Sequence, residues 1–463
     1  MLLHFSVENY RSIRDTQNLL LTASQRIKPE DRRGAVFPIP GTQEQEAALP
    51  AVALYGSNAS GKSNILEALV LMRFLIAKSH AERRPVSPLP QQPFLLDHDS
   101  PAQPTRLECT FTLSHAKELI SNGTSTKEVQ PVYTYGFKHT KKEICEEWLY
   151  QEGAEAEQDS RLLFRRTTLN QEITLEVGDQ LSGENENIRK LTRPNSLFLS
   201  AAAQNNHSQL LGIYEYFSGM ILVKNPESFR ESLIADLVDN CRDKGKLKDI
   251  LKQADFGIND VTVKEIELSE TQIEMMRKMS SISSERSAFE DETTSSSPMH
   301  MKALGFMHSA TDGEPRTLPY HLESRGTQVF LTLLLLALEA LSEGSFLVID
   351  ELDTSLHPDL SRALLSLFGR KTSNPYGAQF LFSTHDVTLL DSDVLQQDEI
   401  WFTEKDSDGA SRLTPLTDFK LPPPDQLKHG DIEQAYRLGR FGGVPSSREF
   451  LVELDTDQGE EEK

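Results

Sequence analysis

The chain has 463 residues, of which 38% are apolar, so it is long enough for two to three domains and for a substantial buried core. Its 48 Lys and Arg residues stand against 70 Asp and Glu residues, and the net charge of −22 argues against a surface that binds nucleic acid everywhere, leaving only local basic patches for such contacts. Three isolated cysteines, Cys109, Cys145 and Cys241, have no CxxC spacing, which argues against a zinc site and fits a reducing compartment.

Two strands and a helix are predicted in the N-terminal part. Residues 2–7 and 51–55 have strand patterns, and the second run is followed by glycine and serine. Apolar residues at helical spacing predict a helix from 64 to about 78, which ends before the proline-dense stretch 83–94 because proline removes backbone donors. The order of strand, loop and helix therefore surrounds the sequence GSNASGKS at 56–63.

A small antiparallel element is predicted next. The stretches 106–113, 132–139 and 144–151 alternate apolar and polar residues as strands do. Lys141 and Lys142 occupy the turn between the last two of these strands.

The middle of the chain has the pattern of a mostly helical insert. Helical periodicity dominates from about 186 to 260, and residues 231–254 are its clearest helix. The stretch 280–298 is rich in Ser, Thr and acidic residues and has almost no apolar residues to bury, which predicts a mobile loop or the tip of an arm. The sequence contains no internal repeat.

Strand and helix alternate again in the C-terminal part. From 345 onward, SFLVID, DLSRALLSLFGRK, AQFLFST and EIWFTEK predict strand, helix, strand and strand. The final ELDTDQGEEEK is an acidic tail, for which we expect solvation.

No segment is expected to enter a membrane. Glu8 and Arg11 come before any N-terminal apolar stretch long enough for a signal-peptide core. The longest apolar run, 329–341, is too short to span a bilayer and carries Glu339. We therefore expect a soluble, cytoplasmic protein without a membrane partner.

The loop at 56–63 fits the pattern GxxxxGK[ST] at every fixed position. Its glycines let backbone N–H groups converge on a phosphate, the following helix adds its dipole, Lys62 neutralises phosphate oxygens and Ser63 can ligate Mg²⁺. A glycine-rich structural turn is the alternative, which the flanking strand and helix disfavour. The predicted nucleotide ligands in this stretch are Gly56, Ser57, Asn58, Ala59, Ser60, Gly61, Lys62, Ser63 and Asn64.

Two later strands end in residues suited to hydrolysis. The stretch SFLVIDELDTSLHP places Asp350 and Glu351 at the carboxyl end of a buried strand, where Asp350 can hold Mg²⁺ and Glu351 can position or deprotonate the attacking water. The next apolar strand, QFLFSTHD, ends at His385, which a parallel sheet would present beside the other strand ends to bond the γ-phosphate or the water. The alternative for Asp350 and Glu351 is that they only begin an ordinary turn. The alternative for His385 is that it is an isolated histidine without a role at the site.

A second anion site is predicted at the start of the apolar helix 323–341. Ser324 and Gly326 lie at its N-terminus, where free N–H groups and the helix dipole favour a phosphate. Because the chain's own loop already cradles a phosphate, this site is more useful to the ATP of a partner. Taken alone, the stretch is a plain N-cap.

These motifs in this order resemble ABC-type ATPase heads of the SMC-like and OLD-like branch, and in particular the RloA and AbiL-like ATP-binding proteins of the AAA family, which are linked to bacterial restriction and phage defence. The resemblance is carried by FSVENYRSI, YGSNASGKSN, ESRGT, DELDTSLHP, STHD and DEIWFTEKDSDG, whereas 155–320 contributes little. It makes 56–63 the Walker A loop, Asp350 and Glu351 the Walker B pair, LDTSLHP the D-loop, Ser324 to Thr327 the signature and His385 the switch histidine.

The sequence departs from the resembled heads in two places. ESRGT keeps only the serine and one glycine of the LSGGQ signature, and Gln91 and Gln92 are both candidates for the Q-loop glutamine. In such heads, Arg11 and Ser12 would lie near the nucleotide base or ribose.

The resemblance implies an α/β fold, namely an ABC-type ATPase head with a mixed central sheet and an antiparallel β-subdomain, plus an inserted, mostly helical lid or arm. The N-terminal half of the head would span 1–185, the insert 186–320, and the C-terminal half with the acidic tail 321–463. Two heads would sandwich two ATP molecules with Mg²⁺, so that ATP drives formation of a homodimer or higher oligomer and hydrolysis reverses it.

Two functions from different classes follow. The first is an ATPase switch that senses and regulates a separately encoded effector, a nuclease, in anti-phage defence; the stretch after His385 shows no paired-carboxylate nuclease pattern, so we expect the nuclease on another chain. The alternative is a DNA-binding repair or maintenance clamp, with short basic pairs at 83–84, 141–142 and 165–166 on the phosphates. A transporter subunit would need a membrane partner and a standard signature.

Overall fold

The computed structural model describes residues 1–28, 32, 34–39, 46–81, 87–113, 131–152, 160–254, 257–267, 300–422 and 430–442. The predicted mobile loop at 280–298 and the acidic tail lie outside these residues. The basic pair at 83–84 also lies outside them.

Strands and helices alternate along the described part of the chain. The strands are β1 (Leu2–Glu8), β2 (Gln17–Leu20), β3 (Phe37–Pro38), β4 (Ala47–Ala48), β5 (Ala51–Gly56), β6 (Thr105–Thr112), β7 (Val132–His139), β8 (Ile144–Gln151), β9 (Arg161–Leu169), β10 (Glu172–Val177), β11 (Ile221–Val223), β12 (Ile258–Glu267), β13 (His300–Ser309), β14 (Pro315–Pro319), β15 (Phe346–Ile349), β16 (Gln379–Ser383), β17 (Ile400–Lys405) and β18 (Ser411–Pro415). The helices are α1 (Lys62–Lys78), α2 (Asn185–Leu191), α3 (Phe198–Gln204), α4 (Leu211–Ser218), α5 (Glu231–Asn240), α6 (Lys244–Gln253), α7 (Arg325–Glu343), α8 (Pro358–Phe368) and α9 (Asp431–Arg437).

A six-stranded mixed sheet forms the centre of the fold. Its strand order is β11-β15-β16-β5-β17-β18. All neighbours from β11 to β17 are parallel, and only β18 runs antiparallel to its neighbour. Strands β5, β15 and β16 are buried along their whole length, because helices or a second sheet cover both faces of a parallel sheet.

An antiparallel sheet of seven strands, in the order β10-β9-β8-β7-β6-β1-β2, forms a second layer. It contains the three antiparallel strands predicted from the sequence, and it confirms the predicted α/β class with a mixed central sheet and an antiparallel β-subdomain. The sequence analysis missed β9 and β10. Strand β9 carries two adjacent arginines and has no clean apolar alternation, whereas the EITLEV sequence of β10 does alternate and could have been identified.

Helices fill the space on both sides of the central sheet. Helix α1 starts at Lys62, two residues before the predicted position, and packs Leu69 and Met72 into a core that includes Leu54 and Phe111. Helix α7 packs on the opposite face, where Phe330 shares a second core with the central strands. The loop at 56–63 therefore leads directly from the central sheet into a buried helix.

The stretch 231–254, the clearest case of the predicted helical pattern, forms two helices, α5 and α6. The break lies at Cys241 to Asp243, where the Asp243 side chain accepts a hydrogen bond from the Lys246 amide and starts a new helix. An antiparallel sheet of β12, β13 and β14 packs beside these helices, so the middle of the chain contains strands as well as the predicted helices.

Strand β11 also lies in the stretch predicted as the insert, yet it is an edge strand of the central sheet beside β15. Its three residues are too short to give a pattern of their own. The division of the chain at 186 and 320 stays a prediction, and β11 ties that stretch to the rest of the fold.

Among the described residues, α7 is the one helix that is long and apolar enough to cross a membrane by length and composition. Two-thirds of its most apolar window (67%) is buried inside the protein. Leu333 and Leu334 are fully buried against the second core, which accounts for the apolar composition of this helix.

Candidate functional site

The glycine loop, the acidic pair and His385 meet at one edge of the central sheet. Strands β5, β15 and β16 are parallel neighbours, and the register pairs Ile349 with Phe382 and Ser383 with Leu54. Because these strands end together, the loop that starts at Gly56 lies beside Asp350 and His385, as predicted from the strand order.

The loop at 56–63 has a backbone that requires its glycines. Gly56 has a φ of 154°, and a Cβ there would lie 2.5 Å from the Thr403 hydroxyl and 2.6 Å from the Ser60 hydroxyl. Gly61 has a φ of 117°, and a Cβ there would collide with the Ser411 side chain. These contacts fix the turn that carries the chain from β5 into α1.

Lys62 is the first residue of α1 and is only 6% exposed. Its ammonium donates hydrogen bonds to the carbonyl oxygens of Gly56 (2.9 Å) and Ser57 (3.3 Å), so the loop curls over it. Burial lowers the pKa of Lys62, and the nearby carboxylates, of which Asp350 acts most strongly, oppose that shift.

The start of α1 is open to an anion. Its N-cap is Gly61, and no side chain caps the first turn. The first-turn N–H groups and the positive end of the helix dipole therefore point at the same place as the Lys62 ammonium, which is the chemistry of a phosphate cradle. Ser63 follows in that first turn.

A serine that the sequence analysis missed organises the two acids. The hydroxyl of Ser383 donates to the Asp350 carboxylate and accepts from the Glu351 amide at 2.8 Å. Glu351 has a φ of 54°, a left-handed conformation that non-glycine residues adopt rarely, and its side chain is exposed. The β16 serine therefore fixes Asp350, while the exposed Glu351 carboxylate accepts one long hydrogen bond, from the Thr354 hydroxyl at 3.4 Å.

His385 is positioned through Asp353, a second residue that the sequence analysis did not single out. One Asp353 oxygen accepts from the Thr384 hydroxyl at 2.6 Å and from the His385 amide at 3.0 Å. Partial burial and then the charge of Lys62 lower the pKa of His385, so the imidazole is neutral at neutral pH.

The donor set fits Mg²⁺ bound together with a phosphate chain. Ser63 and Asp350 offer one hydroxyl and one carboxylate, and Mg²⁺ sites on nucleotides use one or two protein oxygens plus phosphates and waters. In the part of the chain that the structure describes, no group of three His, Cys, Asp or Glu residues could hold a metal ion by itself. A metal here would depend on the nucleotide.

Arg11 and Ser12 lie against the start of α1. Arg11 donates to the Asn64 side chain at 3.3 Å and pairs with Glu67, and the Asn64 amide donates to the Ser12 hydroxyl at 2.6 Å. Arg11 therefore lies beside Asn64, while its contact with the base or ribose stays a prediction.

Both Q-loop candidates have partners within their own surroundings. Gln92 accepts a hydrogen bond from the Arg11 guanidinium. Gln91 accepts from the Lys141 amide at 3.1 Å and donates to the Gln103 carbonyl at 2.9 Å. Among the described residues, neither glutamine forms a hydrogen bond with Ser63 or Asp350. These contacts therefore do not favour either one as a metal ligand.

Ser324 caps α7, as the sequence predicts. Its hydroxyl accepts from the Thr327 amide at 3.1 Å, and its side chain is exposed. Gly326 lies against the LDTSLHP stretch, since a Cβ there would be 3.0 Å from the Ser355 carbonyl. No hydrogen bond or ion pair between described residues joins 324–327 to 56–63.

The profile of a protein family described as "AAA domain, putative AbiEii toxin, Type IV TA system" matches residues 51–391. No curated protein is significantly similar to the chain. Three of the similar solved structures are the Smc head bound to the C-winged helix domain of ScpA (13% identity, covering 89% of this chain and 96% of that chain, TM-score 0.40), the SMC head domain from Thermotoga maritima (14%, 91% and 99%, 0.36) and the Smc head domain with an extended coiled coil bound to the C-terminal domain of ScpA from Pyrococcus furiosus (13%, 90% and 97%, 0.32). Because these TM-scores are low, the family to which the chain belongs is identified from the match over residues 51–391 and not from these structures.

Proposed function

The chain belongs to the family described as "AAA domain, putative AbiEii toxin, Type IV TA system", and on that premise we propose that it is an ATP-hydrolysing switch whose copies associate around ATP. One observation carries the proposal. The glycine loop, the acidic pair and the histidine, which are far apart in sequence, lie at the adjoining ends of three parallel strands. This arrangement suits phosphoryl transfer from a nucleoside triphosphate to water.

Each residue of the site has a role in this proposal. Lys62 and the first-turn amides of α1 bind the β- and γ-phosphates. Mg²⁺, when bound through Ser63 and Asp350, neutralises charge on the phosphate oxygens. Glu351 orients the attacking water and accepts its proton, and the neutral His385 hydrogen-bonds the γ-phosphate or that water.

We extend the proposal to a homodimer in which Ser324 and Gly326 of one copy contact the ATP held by the other. The exposed Ser324 and the lack of a bond from 324–327 to the loop of the same chain support this arrangement. ATP would then favour the associated state because it binds the closed pair more tightly than the single copy.

The biological role we propose is regulation of a separately encoded effector nuclease in cytoplasmic anti-phage defence, as in the RloA and AbiL-like proteins that the sequence resembles. The toxin and toxin–antitoxin terms in the family description support a role in such a system. A nuclease gene next to the gene for this chain would strengthen the proposal.

The alternative DNA clamp gains little support from the basic pairs. Arg166 is fully buried beside Glu147, and Arg165 pairs with Glu146. Lys141 and Lys142 are exposed in the turn before β8, and two lysines are a small footprint for a duplex. Duplex binding that requires ATP and weakens steeply with salt would favour the clamp.

Glu351→Gln tests the switch directly. The variant keeps the shape of the side chain but removes the base, so it should bind ATP, lose turnover and accumulate dimer or a higher oligomer. Phosphate release and light scattering with ATP and Mg²⁺ measure both effects. A variant that stays monomeric at saturating ATP contradicts the proposal.

A further inference from the structure

A short segment, 221–228, contacts three motifs of the site. The Val223 carbonyl accepts from the Asp350 amide at 3.1 Å, beside the acidic pair. The Lys224 ammonium lies 2.9 Å from the Glu67 carboxylate of α1, one turn after the phosphate loop. Glu227, at the other end of the segment, reaches the start of α7. The segment therefore joins the chain's own nucleotide loop to the stretch that we assign to a partner's nucleotide.

The Glu227 carboxylate holds two residues together. One oxygen pairs with the Arg325 guanidinium and the other accepts a hydrogen bond from the Ser355 hydroxyl. The Asn225 side chain accepts from the Glu227 amide at 2.8 Å and fixes its backbone. The Ser355 bond and the Arg325 charge lower the pKa of Glu227, so it is ionised at neutral pH.

Arg325 is an unusual residue at this place. It is the first residue of α7, where a cation is repelled by the positive end of the helix dipole, and it stands where the LSGGQ pattern has glycine. Its side chain is 67% exposed, whereas that of Glu227 is only 14% exposed. The guanidinium thus faces outward from a carboxylate that is fixed in the protein.

We propose that Glu227 is a latch that holds Arg325 and Ser355 in the free chain, and that Arg325 exchanges this carboxylate for the terminal phosphate of ATP bound to a second copy. The inference rests on the proposed function and adds a phosphate ligand to it. A guanidinium forms paired hydrogen bonds with a phosphate, and a triphosphate carries more charge than a single carboxylate. The exchange is therefore favourable only when the second copy brings ATP.

The latch also links the two nucleotide positions of one chain. When Arg325 leaves, the Glu227 carboxylate keeps its bond to Ser355 and loses its ion pair with α7, so residues 224–228, which follow the paired strand β11, can shift against α1 through Lys224. Occupancy of the chain's own loop and release of Arg325 then influence each other through one short segment.

The test uses the full-length chain with Glu351→Gln, titrated with ATP and Mg²⁺ and followed by light scattering. Adding Arg325→Ala should raise the ATP concentration at half-dimerisation about tenfold or more, the size of a lost charged hydrogen bond. Adding Glu227→Gln should lower it about two- to fivefold, because an exposed ion pair restrains the free state by that much. Nucleotide affinity of the dilute monomer, measured with a fluorescent ATP analogue, should change by less than the dimerisation midpoint in both variants, because Lys224 transmits only part of the latch's release to α1.

A matched control is Arg165→Ala, since Arg165 is a 48% exposed arginine that pairs with Glu146 in the seven-stranded antiparallel sheet. It should leave the dimerisation midpoint unchanged. Arg325→Lys keeps the positive charge but loses the two parallel N–H donors of the guanidinium. It should therefore give an ATP concentration at half-dimerisation between those of the parent and Arg325→Ala. If Arg325→Ala dimerises at the same ATP concentration as its parent, or Glu227→Gln does not lower the midpoint, the latch is wrong while the proposed function stands. If the Glu351→Gln parent never dimerises, the proposed function fails first.

Discussion

Two buried cations, Lys62 and Arg166, show how differently this protein treats charge in two regions. In the antiparallel sheet, Arg166 is fully buried and lies 3.7 Å from the Glu147 carboxylate, which also accepts from Tyr135 and from the Phe198 amide. At the sheet edge, Lys62 has two carbonyl partners, and no carboxylate of the described residues lies within 4.0 Å of it. Arg166 thus has its countercharge within 4.0 Å, whereas the carboxylates that act on Lys62, Asp350 first among them, lie farther from its ammonium.

The comparison teaches how to separate a structural charge from a functional one. Replacing the partner of a buried ion pair leaves a stranded charge, so such pairs affect folding when broken. A cation held only by loop carbonyls can exchange them for a phosphate at small cost, because both are oxygen acceptors. Mutations at the Arg166–Glu147 pair should therefore lower the free energy of unfolding, whereas mutation of Lys62 should lower nucleotide affinity.

Glu147→Ala should give the largest loss of stability. It leaves Arg166 buried without its carboxylate and removes the acceptor for the amides at the start of α3, so the free energy of unfolding should fall by about 3–5 kcal/mol. Urea denaturation measures the loss. The double variant Glu147→Leu with Arg166→Met should recover much of it, and a double variant as unstable as the single one would show that the pair is not the cause.

Lys62→Ala should separate binding from folding. Removing the ammonium should weaken ATP binding by about a hundredfold, the size of a lost charge-assisted interaction, while the free energy of unfolding changes by less than about 1 kcal/mol. Isothermal titration with ATP and Mg²⁺ gives the first value and urea denaturation the second. Unchanged micromolar affinity would remove Lys62 from the phosphate site, and Glu147→Ala is the reciprocal control.

The smallest expected effect is a change in the pKa of His385 when Lys62 is replaced by alanine. Partial burial and, second to it, the charge of Lys62 lower the pKa of this histidine below its usual value of 6.5. The folded state thus favours the neutral imidazole, and the stabilisation that it contributes is present above about pH 6.5 and is lost as the pH falls through the lowered pKa. In Lys62→Ala, an NMR titration should show the pKa of His385 shifted back upward. An unchanged pKa would mean that the Lys62 charge does not reach the imidazole.

Much of the site was predictable because its signals are local. The loop 56–63 is recognisable from the fixed spacing of its glycines, lysine and serine. The positive φ of Gly56 and Gly61 explains why glycine stands at both positions. The acidic pair and His385 each follow a run of apolar residues that can only be a buried strand. Parallel strands end at one edge, so their meeting followed from the strand order.

The missed features depend on contacts between distant residues. Ser383 and Asp353 lie inside stretches that the sequence analysis quoted, but their roles depend on the neighbouring strand ends that bring them to Asp350 and His385. The break between α5 and α6, in contrast, has a local signal, because 239–246 contains Cys241 as its one apolar residue and Asp243 caps the Lys246 amide.

By itself, the sequence determined the glycine loop at 56–63, the order of the strands that carry the acids and the histidine, and the cap of α7 at Ser324, because backbone conformation and periodicity are local properties. Only the tertiary structure decided which charges are satisfied. It gave Arg166 a carboxylate within 4.0 Å and placed the carboxylates that act on Lys62 farther away, and it brought Glu227 to Arg325 across 98 positions of the chain. Such pairings depend on how the sheets and helices pack, because electrostatic and hydrogen-bond energies depend on distance in space and not on separation along the chain.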